Sequence, residues 1–339
     1  MTIPTSALDA RELRLLEAAR SGDDDAYRLL VEPHRRELHA HCYRMLASVH
    51  DAEDALQDTL LRAWRGLPRF EGRSSLRTWL YTIATNACLR AVAKRPKRLL
   101  AQDAGAPAFV GETPGRPLTE EVWIEPYPTD ELGPDASYEQ RESMELAFTA
   151  ALQLLPAQQR AVLLLRQVLG FSAQETAAAL DTSVAGVNSA LQRARKAVDE
   201  RVPAQSQQAA LQTLGDAKVR ELVARYVDAM ESGDVDVVVE LLVEDVTWAM
   251  PPAQTWYSGL ASVRRFLADW PLKHEWRHTV TSANGQPAVL CYFWEEERDA
   301  FVLHAVDVLS IRGHRIAAVD AFLDPNVYAA FGAPLELPR

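Results

Sequence analysis

Cysteine is scarce and unpatterned in this chain. Only Cys42, Cys88 and Cys291 occur among 339 residues, without a CxxC pair or histidine-rich spacing, which argues against a disulfide framework and against a metal site. Long apolar runs are missing too: nothing approaches the roughly 20 consecutive apolar residues that span a bilayer. The opening MTIPTSALDARELRLLEAAR is broken by Asp9, Arg11, Glu12 and Arg14, so it lacks the apolar centre of a signal peptide. These absences point to the cytoplasm and to no membrane partner. What is present is ordinary for a globular protein, with 48% hydrophobic and 24% charged residues. A single core seldom grows past about 250 residues, so a chain of this length predicts two or three domains.

Charge is partitioned along the chain. The net charge is −11, yet residues 62 to 98 hold ten basic residues against Glu71 alone, a net of +9. Residues 103 to 145 hold eleven acids and two arginines, a net of −9, and residues 205 to 339 come to −8. A basic stretch supplies counterion-releasing phosphate contacts, whereas an acidic one repels DNA or covers a basic surface.

The texture also changes three times. Residues 8–100 carry apolar positions at helical spacing, broken at SGDDDA, GLPRFEGRSS and KRPKR. Residues 101–138 are dense in proline and glycine without periodicity and read as an extended acidic linker. Helices resume over 139–202, with Pro156 where a helix can begin. After the joint VPAQSQQAA, two helical stretches (216 to 232, 234 to 243) precede runs rich in β-branched and aromatic residues, so 210–335 is α+β. The expected fold is multidomain: two all-α domains followed by an α+β domain.

Gly170 to Arg195, GFSAQETAAALDTSVAGVNSALQRAR, has the signature of a helix-turn-helix. Ser172 and Glu175 make a capping box, Asp181 to Ser183 the turn, and Val184, Val187 and Leu191 the apolar face of the second helix. Together with the preceding LPAQQRAVLLLRQVL, this stretch resembles region 4 of sigma-70-type factors, above all the extracytoplasmic-function (ECF) group. DAEDALQDTLLRAW resembles region 2.2, and RFEGRSSLRTWLYTIATNACLRAV resembles regions 2.3 and 2.4. The resemblance covers about residues 10 to 200 and implies promoter DNA and the RNA polymerase core, its β′ clamp helices and β flap, as partners.

Residue roles follow from that resemblance. Asp51, Glu53, Asp54, Gln57 and Asp58 form a charged helix face, backed by Leu56, Leu60 and Leu61, that the family implies for core docking. Arg73, Arg77, Asn86 and Arg90 are the candidates for the melted −10 strand, whereas Trp79 and Ile83 read as packing residues. On the −35 side the candidates are Ser183, Asn188, Gln192, Arg193, Arg195 and Lys196. Asp181, Gly186, Asn188 and Ala190 depart from the usual pattern, and the loss of cations there weakens the expected phosphate contacts.

The tail resembles a SnoaL-like domain, the cone-shaped fold shared with nuclear transport factor 2. VRELVARYVDAMESGDVDVVVELLVEDVTWAMPP, TWYSGLASVRRFL and AVDAFLDPNVYAAFGAP carry this likeness, and WIEPYPTD in the linker resembles the tryptophan-proline motif of one tailed ECF subgroup. Trp248, Tyr257, Trp294, His304, Asp307 and Asp320 are the candidate pocket residues. A two-residue turn at Gly313 and His314 predicts that Arg312 faces Arg315 and that Asp307 faces Asp320 on one exposed side. The expected function is a sigma factor regulated in cis by its tail and linker through contact with region 2, with no cofactor, no metal and no catalysis. The alternative makes the tail a ligand sensor for an unidentified small molecule or a polyketide-cyclase-like enzyme using Asp307, His304 or Asp320.

Overall fold

The computed structural model describes residues 10–113, 115, 123–132 and 138–339; parts of the acidic linker, 116–122 and 133–137, lie outside the described residues. In chain order its helices are α1 (Ala10–Arg20), α2 (Asp24–Val31), α3 (Arg35–Leu46), α4 (Val49–Gly66), α5 (Leu76–Val92), α6 (Ala101–Ala104), α7 (Tyr138–Glu142), α8 (Leu146–Leu154), α9 (Ala157–Leu163), α10 (Ala173–Ala179), α11 (Val184–Asp199), α12 (Gln207–Leu214), α13 (Asp216–Ser232), α14 (Val235–Glu240), α15 (Leu260–Asp269) and α16 (Pro325–Tyr328). The strands are β1 (Leu242–Ala249), β2 (Trp256–Ser258), β3 (Trp276–Ala283), β4 (Gln286–Glu295), β5 (Ala300–Arg312), β6 (Arg315–Phe322) and β7 (Glu336–Leu337). The chain forms two compact units, one of residues 1–97, 131–133 and 151–201, the other of residues 98–130, 134–150 and 202–339.

The first unit is all-helical, and its helix ends are written in the sequence. Ser48 caps α4 and Ser75 caps α5, each side chain accepting a backbone N–H three residues on, at 3.1 and 3.0 Å. Ala47 ends α3 in the left-handed region at φ +54°. Leu38, Tyr43, Met45, Leu56, Leu80 and Tyr81 are buried between α3, α4 and α5. Pro156 is the N-cap of α9, one residue before the helix.

In the second unit a sheet runs β2-β1-β6-β5-β4-β3, antiparallel except where β1 meets β6, with β7 added to β5. One face packs on α13 and α15 around Tyr226, Trp248, Phe266, Leu309 and Val319. The second helical stretch is shorter than expected: α14 stops at Glu240, and β1 starts at Leu242.

Two expectations are corrected here. Arg312 does pair with Arg315, but the register shifts between Ser310 and Ile311, so Asp307 faces Ala321 and Asp320 faces Val308. One extra residue turns every following side chain to the other side. Asp307 and Asp320 therefore lie on opposite faces, and both are buried, at 3% and 4% exposure. Val306 and Val308 likewise lie on the face opposite Val319 and Ala321, not beside them.

The linker is the second correction, because it is not an extended spacer. Ala101, Trp123, Ile124 and Tyr127 are buried within the second unit. Trp123 packs with Ala101 against Ala249 and Trp256. Trp256 donates its indole N–H to Gly105 O at 2.9 Å, and Tyr257 donates its hydroxyl to Glu112 O at 2.6 Å. Among its described residues the linker after α6 is mostly irregular, but the interspersed aromatics anchor it.

Candidate functional site

α4 presents a narrower stripe than the sequence suggested. Its buried side is Ala52, Ala55, Leu56, Thr59 and Ala63. Asp51 falls on that side, 6% exposed and ion-paired with Arg95, so it is removed from the candidate docking face. Leu61 moves the other way: it is 48% exposed, not a backing residue. Asp54, Gln57, Asp58 and Leu61, at helical spacing, form the accessible stripe. Glu53 flanks it, held by the Gln57 amide at 3.0 Å. Burial pushes the Asp58 carboxyl upward, but Arg62 at 2.7 Å and Arg90 at 3.4 Å together hold it below its usual range.

The −10 candidates, on α5 and in the loop before it, differ in how free they are. Arg73 projects into solvent beside Glu71. Arg77 lies over the Tyr81 ring at 4.7 Å and pairs with Glu37 at 3.1 Å. Arg90 is exposed, sharing Asp58 with Arg62. Asn86 is half-buried and occupied, its amide donating to Thr82 O at 2.9 Å and to Ala179 O at 3.3 Å. Trp79 packs against Phe70, ring centres 4.9 Å apart.

α10 and α11 follow the helix-turn-helix reading closely. Both halves of the capping box form: Ser172 Oγ accepts from Glu175 N at 3.1 Å, and Glu175 accepts from Ser172 N at 2.8 Å. Asp181 takes φ +49°, the left-handed turn its short polar side chain tolerates. Ser183 caps α11 through Gly186 N at 3.0 Å. Val187 and Leu191 are buried but Val184 is exposed, a correction at the helix start. Asn188, Gln192, Arg193, Arg195 and Lys196 are all exposed.

The six tail candidates do not converge. Tyr226 donates its hydroxyl to Asp307 Oδ2 at 2.8 Å, and the Tyr226 and Trp248 rings sit 6.4 Å apart. Tyr257 stacks on Phe266. His304 lies among Trp270, Trp276 and Phe293. Trp294 instead meets Phe301 and the Arg339 guanidinium, and Asp320 accepts from the Gln102 amide of the linker at 3.1 Å. Burial pushes both Asp307 and Asp320 up to about 6. Sequence reasoning could not gather these residues, because strand alternation and two register shifts decide the faces.

The best-built polar cluster was missed in the sequence. β3 and β4 are joined by Asn284 and Gly285, with φ +54° and +69°, the Asn-Gly turn that favours a hairpin. Its tip is buried: Asn284 is 0% exposed, accepts Tyr127 N at 2.9 Å and donates to Met144 O at 2.8 Å. Asn284 N also donates to Tyr127 O at 2.7 Å, Gly285 N donates to Thr129 Oγ1 at 3.0 Å, and Gln286 Oε1 accepts Leu146 N at 2.9 Å. Glu145 accepts Gln208 N at 2.7 Å, and burial raises its carboxyl to about 7. The dipeptide Asn-Gly between two β-rich runs was the available signal.

Comparison with known proteins decides what these surfaces belong to. Family models for Sigma-70 region 2, Sigma-70 region 4 and a SnoaL-like domain match residues 30–98, 145–198 and 223–319. The ECF RNA polymerase sigma factor SigG of Mycobacterium tuberculosis is 42% identical over 326 residues, covering 94% of this chain and 86% of SigG. The chain is an ECF RNA polymerase sigma factor. SigW of Bacillus subtilis is 29% identical over 185 residues, covering 54% of this sigma factor and 92% of SigW. The crystal structure of the Mycobacterium tuberculosis ECF sigma factor SigJ aligns over 89% of this chain and 97% of its own, with a TM-score of 0.58 at 22% identity, so the fold is shared. This sigma factor is thus a DNA-binding initiation factor of transcription with a SnoaL-like extension, α+β as expected. Among the described residues no helix is long and apolar enough to cross a membrane.

Proposed function

We propose that the SnoaL-like domain regulates this sigma factor in cis by fixing the path of the chain between regions 2 and 4. In this reading Asp54, Gln57, Asp58 and Leu61 dock on the polymerase core. Arg73, Arg77 and Arg90, with Asn86 once released, hold the −10 strand, while Asn188 and Gln192 read −35 bases as Arg193, Arg195 and Lys196 contact phosphate. The observation that carries the regulatory part is Asn284, whose one side chain holds Tyr127, before region 4, and Met144, at its start. A domain that merely accompanied the sigma regions would not need a buried turn bonded to the segment joining them.

The tail acts here through binding rather than catalysis. Asp307 and Asp320 sit on opposite faces and are each satisfied by a neutral donor, so they form no acid–base pair around one substrate. The test is run-off transcription with purified core polymerase, comparing the full chain, Asn284→Gly, and a chain ending near Val202. Transcription that changes in Asn284→Gly at equal core binding supports the reading, and identical output from the full chain and Asn284→Gly sinks it.

A further inference from the structure

We propose that Glu37 is a positioning residue for promoter reading: by fixing Arg77 and cancelling its charge, it makes that arginine the reader of one unstacked −10 base rather than a phosphate contact. The inference deepens the −10 role given to Arg77 above and rests on it.

Glu37 stands in the first turn of α3, three residues after His34, the N-cap residue of that helix. Its two carboxylate oxygens hold different neighbours. Oε1 lies 2.8 Å from His34 Nδ1, while Oε2 accepts both Arg77 Nε and the Tyr81 hydroxyl, each at 3.1 Å. Arg77 and Tyr81 are four residues apart on α5 and so share a helix face, which lays the guanidinium over the ring at 4.7 Å. Tyr81 is 1% exposed, so the platform under the arginine is fixed. The guanidinium is thus pinned at Nε and along one face. Its two Nη groups make no hydrogen bond among the described residues, which leaves a fork of donors and a second flat face to be used.

Charge decides what that fork can hold. A phosphate contact draws on a net cation, whose counterion release makes binding salt-dependent. Glu37 removes that net charge, because the pair is partly buried, with the Arg77 and Glu37 side chains 37% and 26% exposed, and salt screens such a pair weakly. Burial pushes the Glu37 carboxyl upward, but His34 and Arg77 together hold it below its usual range, so it stays ionised at neutral pH. Arg73 is the contrast: its pair with Glu71 stands in solvent, 86% and 65% exposed, and can exchange the carboxylate for a phosphate. What Arg77 retains is geometry. Its fork matches two adjacent acceptors, which guanine offers through O6 and N7 and cytosine through O2 and N3. Lysine would supply the charge without the fork.

The test uses holoenzyme assembled from purified core polymerase and the full chain, transcribing a barcoded promoter library randomised at each −10 position. The wild type is expected to prefer guanine or cytosine at one position, and which of the two it prefers names the base edge that is read. Glu37→Gln and Arg77→Lys should each cut that preference about tenfold and leave the other positions alone. On a fluorescent single strand carrying the selected sequence, Glu37→Gln should also steepen the salt dependence of holoenzyme binding by about 0.7, one phosphate contact, because Arg77 then acts as a free cation. A Glu37 that merely supported the fold would lower affinity alike for every base, with no steeper slope. That pattern, or wild-type preferences in both variants, would overturn the proposal. If Glu37→Gln loses its far-UV circular dichroism, Arg77→Lys decides through the same library, and an unchanged preference refutes it. A wild type that binds core in a pull-down but prefers no −10 base strikes the −10 reading and the proposal with it, whereas preserved preferences in the variants strike the proposal alone.

Discussion

Replacing Asn284 tests the grip of the tail on the linker most directly. Asn284→Gly keeps the left-handed turn, since glycine adopts φ +54° freely, but removes the bonds to Tyr127 N and Met144 O. Each buried bond lost costs about 1–3 kcal/mol, so the second unit should lose about 2–6 kcal/mol. Asn284→Ala adds about 1 kcal/mol more, because its Cβ clashes in the left-handed region. Against a typical domain stability of about 5–15 kcal/mol, either change removes a large fraction of the total. Urea denaturation followed by tryptophan fluorescence reports the loss, and limited proteolysis of residues 98–130 reports whether the linker is released. An Asn284→Gly protein within about 0.5 kcal/mol of wild type, with an unchanged cleavage pattern, refutes the claim that the turn clamps the linker.

Further expectations follow from the same geometry. Trp123→Ala should destabilise the second unit by about 3–5 kcal/mol, measured by the same denaturation, since it empties a packed site against Ala101 and Ala249. Asp307, Asp320 and Glu145 have carboxyls raised to about 6, 6 and 7, so the folded chain holds protons that the unfolded chain releases. Their contribution is fully present below about pH 4 and is lost as pH rises through 6 to 7, at about 1 kcal/mol per pH unit and group. Asp320→Asn should flatten that dependence in denaturation midpoints taken from pH 5 to 8. Leu61→Asp should weaken core binding at least about tenfold in a pull-down titration, with α-helical content unchanged. Lys196→Ala should lower the salt dependence of promoter binding by about one counterion, measured by fluorescence anisotropy, whereas Asn188→Ala should relax preference at single −35 positions.

Local signals were legible and remote partners were not. The capping box at Ser172 and the turn at Asp181 depend on residues within a few positions of each other, and both form as read. Asp51 looked like part of a solvent face because its helix is amphipathic, but Arg95, far along the chain, draws it inward. The Asp307–Asp320 register failed because the shift between Ser310 and Ile311, which leaves Ala317 of β6 as the extra residue, has no glycine or proline to announce it. Composition made the linker look unstructured, since proline and glycine dominate the count while three aromatic and aliphatic anchors, Trp123, Ile124 and Tyr127, decide the packing. In the tail, the α+β texture was clear from β-branched runs, whereas the face of Trp294 depended on another register shift.

The buried Asn284 turn also sets a timetable for the nascent chain. Tyr127 leaves the ribosome 157 residues ahead of its partner, and Met144 leaves 140 ahead. At about 5–20 residues per second, the linker waits about 8–30 s for the strands that cover it. Region 4 is complete only after residue 198, so over the last 86 residues before Asn284, about 4–17 s, both regions are made while their connecting segment is bare. A newly made molecule therefore passes through a period with its sigma regions made and its SnoaL-like domain unfinished, and slow translation of the tail would lengthen it.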